Sequence, residues 1–327
     1  MRIVIDAMGG DHAPGEIVAG AVQASREHGV EVIFAGPEDR VRAELNRHDV
    51  KGLRLDILPA PETIGFDEPP VQAVRKKKES SLVRGIQATR EGLADAFVSA
   101  GSTGAIMAGG LLLVGRIKGI DRPALSAVLP TRTRFVLLLD VGANADCSPQ
   151  NLLQFAHMGA IYAERVLKVA DPKVGLLNIG VEEQKGNELT RAALTLLRES
   201  KLRFVGNVEA RDVPEGVVDV VVADGFSGNI LLKSAEGIAK IMVDLLKAEL
   251  ARTPLRRLAA LVLRPGLRAM AVRMDYSEYG GAPLLGVDAP LFKCHGSSRS
   301  RAIMNGVRVA AEFVEQNCLQ QIKEDLG

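Results

Sequence analysis

Short apolar runs recur along the chain and alternate with segments whose apolar residues repeat at helical spacing. Runs such as FVLLLD at 135–140 and VDVVVAD at 218–224 are apolar almost throughout, which is typical of parallel strands covered by helices on both faces. The pattern predicts strands over 2–6, 30–35, 53–59, 96–100, 125–129, 135–140, 174–179, 203–208 and 219–223. A largely parallel α/β sheet is the expected fold class.

Helical segments are predicted between most of these strands, over 15–27, 70–91, 149–169 and 187–199. No Gly/Ser- or Pro-rich linker and no internal repeat divides the chain. We therefore expect one catalytic domain over 1–327, built as two closely joined lobes, roughly 1–125 plus 290–327, and 126–289. The last helical segment, 298–324, is expected to pack on the first lobe.

Composition narrows the class of protein. The 41 Lys and Arg balance 40 Asp and Glu, and aromatic residues make up 4% with no Trp. Neither feature favours a nucleic-acid partner. The three cysteines show neither disulfide nor metal spacing, Asp6 interrupts the first apolar run, and the uncharged stretch 100–115 is too short and Gly-rich to span a bilayer. We expect a cytoplasmic protein without a metal or cofactor.

Loops rich in Gly, Asn, Ser and Asp follow the predicted strands. They read DAMGGDHAPG (6–15), SAGSTGA (99–105), DVGANADCSP (140–149), NIGVEEQKGN (178–187) and ADGFSGN (223–229), with GGAPLLG (280–286) and KCHGSS (293–298) near the end. Each alone is also ordinary turn chemistry. Together they predict an anion site on one sheet edge, because glycine-rich turns and helix N-termini point amides at anions. Dinucleotide and P-loop signatures are absent from the sequence.

Two charged or reactive stretches allow more than one interpretation. Cys294 and His295 are adjacent on an extended segment and point to opposite faces, so they form a poor nucleophile–base pair. Cys294 is interpreted as a packing residue, and His12 and His295 as anion or proton donors. The run RKKKESS at 75–81 is either a solvated helix face or a contact for an acidic partner.

As a set, these motifs closely resemble the phosphate acyltransferase PlsX family of bacterial phospholipid synthesis over essentially the whole chain. The residues that carry the resemblance are DAMGGD, VRKKKESS, SAGSTGA, DVGANADC, NIGVEEQKGNE, DGFSGN, GGAPLLG and the K-x-H-G-S of 293–297. Val181 departs from the acidic residue expected there. The resemblance implies that phosphate attacks a long-chain acyl-acyl carrier protein to give acyl phosphate and free carrier. It also implies an α/β/α fold related to phosphotransacetylases and isocitrate dehydrogenase, a homodimer, and peripheral attachment to the inner membrane face.

The loops and the resemblance together define a candidate site. The expected catalytic residues are Lys185, Asn229, His295 and Asp224. The expected phosphate- or substrate-binding residues are Asp6, Gly9, Gly10, Asp11, His12, Ser99, Gly101, Ser102, Thr103, Gly104, Asn144, Gly228, Lys293 and Ser297. The chemistry requires donors that hold phosphate and stabilise an oxyanion, without a covalent nucleophile or a metal.

A projecting helical hairpin is expected over 234–274. Its second half, 251–274, carries six Arg and no acidic residue, with Pro265-Gly266 expected to break it. We interpret this half as an element that contacts anionic membrane and the downstream membrane acyltransferase. A place in the core or in the dimer interface is the alternative. Its expected apolar contacts are Leu255, Leu258, Val262, Leu267 and Met270. The apolar stripe at 238–245 is instead interpreted as core or dimer interface.

Two alternative functions remain open from the sequence. One is a phosphotransacetylase that uses short acyl-CoA with the same site logic. The other is a non-catalytic, membrane-associated scaffold for lipid enzymes, which the dense polar loops disfavour.

Overall fold

The computed structural model describes residues 1–274 and 280–327, without the side chains of 269 and 271–274. Its strands form a single sheet. They are β1 (Arg2–Asp6), β2 (Glu31–Gly36), β3 (Leu55–Pro59), β4 (Ala96–Ser99), β5 (Ala124–Pro130), β6 (Phe135–Leu139), β7 (Val174–Asn178), β8 (Phe204–Glu209), β9 (Val220–Val222), β10 (Ala282–Leu285) and β11 (Leu291–Lys293).

Helices cover both faces of this sheet. They are α1 (Gly15–His28), α2 (Glu38–Leu45), α3 (Pro70–Lys76), α4 (Ser81–Arg90), α5 (Thr103–Gly109), α6 (Pro149–Arg165), α7 (Glu188–Glu199), α8 (Gly225–Ala251), α9 (Pro254–Met274), α10 (Ser300–Glu315) and α11 (Cys318–Leu326).

The predicted strands are all present, with boundaries within two residues. The strands β10 and β11 were not predicted, because they are very short and β10 contains a proline. The helix expected over 70–91 is two helices, because Ser80 caps a new one by accepting a hydrogen bond from the Val83 amide. The terminal helix is likewise divided, at Asn317, whose φ is 51°.

The sheet has two parallel halves joined by antiparallel strands. The strand order is β3-β2-β1-β4-β11-β10-β5-β6-β9-β7-β8. The pairs β11–β10, β10–β5 and β5–β6 are all antiparallel. Three reversals make the strands of the second half run opposite to those of the first. The expectation that all seven loops share one sheet edge is therefore wrong: the carboxyl ends of the two halves lie at opposite edges.

The junction of the two halves contains a fork. Strands β5 and β10 pair only through Ala124 with Leu285 and Leu125 with Leu284. From Ser126 onward β5 pairs with β6 alone. On the other side, Ala282 and Pro283 of β10 pair with β11. A strand paired on one side presents unpaired backbone groups on its other side. The fork is thus an opening in the sheet that both lobes border.

The core is continuous on one face of the sheet and divided on the other. On the first face, a single cluster of buried residues joins α1 and α10 to α6 and α7, including Ile17, Phe155, Leu194 and Ile303. The expected packing of the C-terminal segment on the first lobe is confirmed by α10 against α1. On the opposite face, one cluster contains Ile86 of α4 and a separate one contains Leu232 of α8.

Helices α8 and α9 project from the sheet as the expected hairpin. Only Gly225, Gly228 and Leu232 of α8 are buried. Helix α9 continues through Pro265, so the expected break at that residue is wrong. The proline leaves the carbonyl of Leu261 without its helical partner, and that residue is exposed to water. Across the described ranges, no helix combines the length and the apolar character needed to cross a bilayer.

The close approach of α8 to the end of β6 gives a stability prediction. A Cβ on Gly228 would lie 1.9 Å from the carbonyl oxygen of Asp140. We expect Gly228→Ala to lower the free energy of unfolding by roughly 1–3 kcal/mol, the usual cost of overpacking. Denaturant unfolding measures the change.

Gly237→Ala in the same helix is the matched control, because nothing lies within 4 Å of its added Cβ. It should be neutral or stabilising by up to about 1 kcal/mol. Equal unfolding free energies for the two variants would contradict the tight contact.

Candidate active site

A cleft of about 320 Å³ opens at the fork between β5 and β10. This volume is at the lower end of the usual range for small-molecule pockets, roughly 300–1,000 Å³. Its apolar lining comes mainly from β5 and α8, with Leu125, Ala127, Val128 and Leu232. Its polar side chains include Thr103 of α5, three residues of α8 (Asn229, Lys233 and Glu236), Lys293 at the end of β11, and His295 in the segment that follows.

In the first lobe, the buried carboxylate of Asp6 fixes two loops. Its Oδ2 accepts a hydrogen bond from Ser99 Oγ at 2.7 Å, and its Oδ1 accepts one from the Met8 amide at 3.2 Å. The same Ser99 hydroxyl accepts a hydrogen bond from the Gly101 amide at 2.9 Å. Burial raises the pKa of Asp6. None of these residues lines the cleft, so they position its loops and do not contact its contents.

The glycines after β1 allow these loops to meet. A Cβ on Gly9 would lie 2.6 Å from Asp6 Oδ2, and Gly10 adopts a φ of 103°. The exposed Asp11 then donates its amide hydrogen bond to the Gly296 carbonyl at 2.8 Å. The loop after β1 thereby supports the segment that carries His295.

In the second lobe, Asp140 has the same function as Asp6. Its Oδ1 accepts hydrogen bonds from the amides of Leu125, Gly142 and Ala143. Its Oδ2 accepts from both the amide and Nδ2 of Asn144, at 2.7 and 2.9 Å. Burial raises the pKa of Asp140, and these hydrogen bonds oppose that rise. Asn144 is buried as part of this network and does not line the cleft.

The first turn of α8 places Asn229 in the cleft. Asp224 caps the helix: its Oδ1 accepts the Ser227 amide and its Oδ2 accepts the Ser227 hydroxyl, each at 2.8 Å. The missing side chain of Gly228 lets this turn approach β6. Asp224 and Gly228 therefore act on α8, while Asn229 is the residue of this turn that reaches the cleft.

The end of β11 contributes Lys293, and the segment that follows it contributes His295. Burial and the nearby charge of Lys233 lower the pKa of Lys293. The pKa of His295 is lowered mainly by burial and further by the charges of Lys293 and Lys233. Its neutral form therefore predominates at pH 7. The Ser297 amide donates to His295 Nδ1 at 3.3 Å. A neutral ring that accepts at Nδ1 carries its proton on Nε2, which makes Nε2 a donor.

Sequence reasoning missed Lys233 and Glu236. Both line the cleft, and Lys233 Nζ lies 2.8 Å from Glu236 Oε2. Their spacing from Asn229, at i+4 and i+7, places all three on one face of α8. Once Asn229 was a candidate, this periodicity was the signal that could have found them.

Lys185 does not line the cleft in this structure. It is exposed in the loop after β7, where its amide donates to the Glu182 carbonyl and its carbonyl accepts from Asn178 Nδ2. Its expected place beside Thr103, Asn229 and His295 is therefore not reproduced, although those three residues share the cleft.

The remaining candidates do not line the cleft. His12 borders a separate surface depression with Glu16 and Arg47. Ser102 precedes α5 without a side-chain capping bond, and a Cβ on Gly104 would meet Pro70. Ser297 is exposed beside His295. Among the described residues, no group of three or more His, Cys, Asp or Glu is placed to hold a metal ion.

The structure supports the interpretation of Cys294 and narrows that of the lysine run at 75–81. Cys294 is 3% exposed, and burial raises its pKa to about 12, which confirms it as a packing residue. Lys77 already has partners within the chain: its Nζ donates hydrogen bonds to the Thr63 carbonyl at 2.8 Å and to Glu68 at 2.7 Å. Of the run at 75–81, Lys76 and Lys78 are the lysines that remain exposed.

The fold matches solved structures of phosphotransacetylases. One from Streptococcus pyogenes aligns with a TM-score of 0.66 at 21% identity, covering 96% of this chain and 94% of that one. The EutD phosphotransacetylase from Staphylococcus aureus aligns with a TM-score of 0.64 at 18% identity and the same coverages. The protein therefore has the phosphotransacetylase fold, an α/β sheet of two lobes with a cleft at their junction.

Sequence relatives identify the family within that fold. The family model described as "Fatty acid synthesis protein" matches residues 1–321. A phosphate acyltransferase from Desulfitobacterium hafniense is 54% identical over all of this chain and 98% of its own length. One from Thermoanaerobacter pseudethanolicus is 51% identical over all of this chain and 97% of its own. The chain belongs to the phosphate acyltransferase PlsX family, as its motifs indicated.

Proposed function

We propose that this protein transfers a long-chain acyl group from acyl carrier protein to inorganic phosphate, which supplies acyl phosphate for glycerophospholipid synthesis. The observation that carries the proposal is the composition of the cleft. An apolar strand, β5, borders the same opening as two amines, an amide and an imidazole. An acyl thioester and a phosphate ion need those two environments next to each other.

Phosphate is held in this proposal by donors from both lobes. Lys293 supplies a charge-assisted hydrogen bond, and Asn229 and Thr103 supply neutral ones. The Nε2–H of His295 donates to the thioester oxygen as negative charge develops on it. Donors fixed in advance stabilise that oxyanion without reorganising during the reaction.

The reaction proceeds by direct attack. A phosphate oxygen forms a bond to the thioester carbon, the carbon–sulfur bond breaks, and its electron pair leaves with sulfur. The hydrogen of HPO₄²⁻ ends on the carrier thiol, so atoms and charge balance. No acyl-enzyme is required, and Cys294 is unsuited to form one because its buried thiol has a pKa of about 12.

The function is tested with purified acyl carrier protein bearing a long acyl chain. We expect release of free carrier and acyl phosphate to depend strictly on phosphate, and activity with a short acyl-CoA to be far lower. Asn229→Ala should reduce kcat/KM about tenfold or more, since a donor to the reacting groups is lost. Mass spectrometry without phosphate should find no acyl group on the protein.

Any of three results would contradict this proposal. They are equal or better turnover of short acyl-CoA, an acylated protein trapped without phosphate, or no turnover of either donor. The first would favour a phosphotransacetylase activity and the last a non-catalytic scaffold.

We also propose that the α8–α9 hairpin works at a membrane surface and in a homodimer. Ile238, Ile241, Met242 and Leu245 of α8 are exposed in the single chain, so their interpretation as core is wrong and a second copy is their proposed partner. On α9, Leu255, Leu258, Val262 and Met270 are exposed, while Leu267 is half-buried. The arginines of α9 would add attraction to anionic lipids.

This location fits the proposed product, which is amphiphilic. A carrier protein would deliver the acyl group from the cytoplasm, and a membrane acyltransferase would take up the acyl phosphate. Peripheral attachment at the inner face of the cell membrane would shorten the path between the two.

The membrane proposal predicts salt-sensitive binding to vesicles that contain anionic lipid. Leu258→Glu with Val262→Glu should abolish sedimentation with the vesicles and leave turnover in solution largely intact. Each nearby arginine would contribute about 1 kcal/mol, so added salt should weaken wild-type binding.

Leu93→Glu with Val217→Glu is the control, since both side chains are exposed outside the hairpin. It should bind vesicles like the wild type. If the hairpin variant instead lost its dimer or its fold, the segment would be a protein interface and the membrane assignment would fail.

A further inference from the structure

Lys233 and Glu236 form an ion pair inside the cleft. The distance between Lys233 Nζ and Glu236 Oε2 is 2.8 Å, and the Glu236 side chain is the more buried partner, at 22% exposed against 50%. An isolated pair at this spacing on a helix surface contributes only a few tenths of a kcal/mol. This pair differs from an ordinary surface pair because it lines the same cleft as Asn229, Lys293 and His295.

The charges in the cleft are close enough to affect one another. Lys233 lowers the pKa of both Lys293 and His295, whereas Glu236 raises the pKa of both. Two ammonium groups that face one cleft repel each other, and a nearby carboxylate offsets part of that repulsion. Glu236 therefore supplies the cleft with a compensating negative charge, which a bound phosphate would replace.

We propose that Lys233 is a further phosphate ligand of this cleft and that Glu236 is its positioning residue. Before phosphate binds, Glu236 positions the Lys233 ammonium at the cleft. When phosphate enters, the flexible lysine side chain exchanges a carboxylate oxygen for a phosphate oxygen, and Lys293 binds the same ion from the other lobe. This inference rests on the proposed function only in taking phosphate as the ion that the cleft binds.

The arrangement would favour a compact dianion. Phosphate would bridge the amines of Lys233 on α8 and Lys293 at the end of β11, and so connect the two lobes. The negative Glu236 would oppose the entry of an anion that does not reach both amines. The expected consequence of losing Lys233 is therefore weaker phosphate binding, with smaller effects on the acyl donor.

The test compares Lys233→Met with Lys233→Arg and with Lys240→Met. Lys240 lies on the same helix, is exposed and is outside the cleft lining. Lys233→Met should raise the KM for phosphate about ten- to hundredfold, the usual loss for a charged hydrogen bond, while the KM for the acyl carrier protein changes little. Lys233→Arg should recover most of the phosphate affinity, and Lys240→Met should match the wild type.

A spectroscopic readout tests whether the Lys233 and Glu236 charges act inside the cleft. NMR titration of the His295 ring should give a higher pKa in Lys233→Met and a lower one in Glu236→Gln, because one variant removes a positive and the other a negative neighbour. With Glu236→Gln, phosphate should still bind, since the ligand amine remains. Unchanged His295 pKa values would show that the pair does not act on the cleft, and would contradict its placement there.

Calorimetric titration with inorganic phosphate alone distinguishes failure of this inference from failure of the proposed function. If the wild type binds phosphate but does not turn over acyl carrier protein, weaker binding by Lys233→Met still supports the lysine as ligand. Unchanged phosphate affinity in that variant, or no phosphate binding by the wild type, would overturn the inference.

Discussion

The carboxylate of Asp140 is the contact on which the cleft depends. It lies at the end of β6, fully buried, and accepts hydrogen bonds from the start of β5 and from the loop that follows β6. A buried carboxylate is costly unless such donors satisfy it. The same donors fix where β5 separates from β10. Since the fork begins one residue after Leu125, the position of the opening follows from this network, as does the approach of α8 to Asp140.

Each lobe has a buried aspartate at a strand end that orders the neighbouring loop. Asp6 in the first lobe and Asp140 in the second are both buried acceptors that order glycine-rich loops from beneath. The side chains that face the cleft, such as Asn229 and His295, are different residues carried by those ordered loops and by α8. One set of residues thus orders the loops, and a different set faces the ligand. This division allows the contacting groups to be fixed before a ligand arrives.

Much of this fold was predictable because its strands are buried on both faces and therefore apolar throughout. What could not be predicted was the reversal between the sheet halves, since it depends on β10 and β11, strands too short to show a period. The loops revealed Thr103, Asn229 and His295, but also Asp6, Ser99 and Asn144, which share the same polar types and serve to hold loops. Lys233 and Glu236 were missed because charged residues at helical spacing usually face solvent.

The proposed phosphate site lies at the fork, where residues of both lobes meet. A crystal structure with phosphate or vanadate bound is the decisive test. We expect the anion within hydrogen-bond distance of Lys293 or His295 from one lobe and of Asn229 from the other. An anion held only by the amides of 99–105 outside the cleft, or in the depression beside His12, would contradict it.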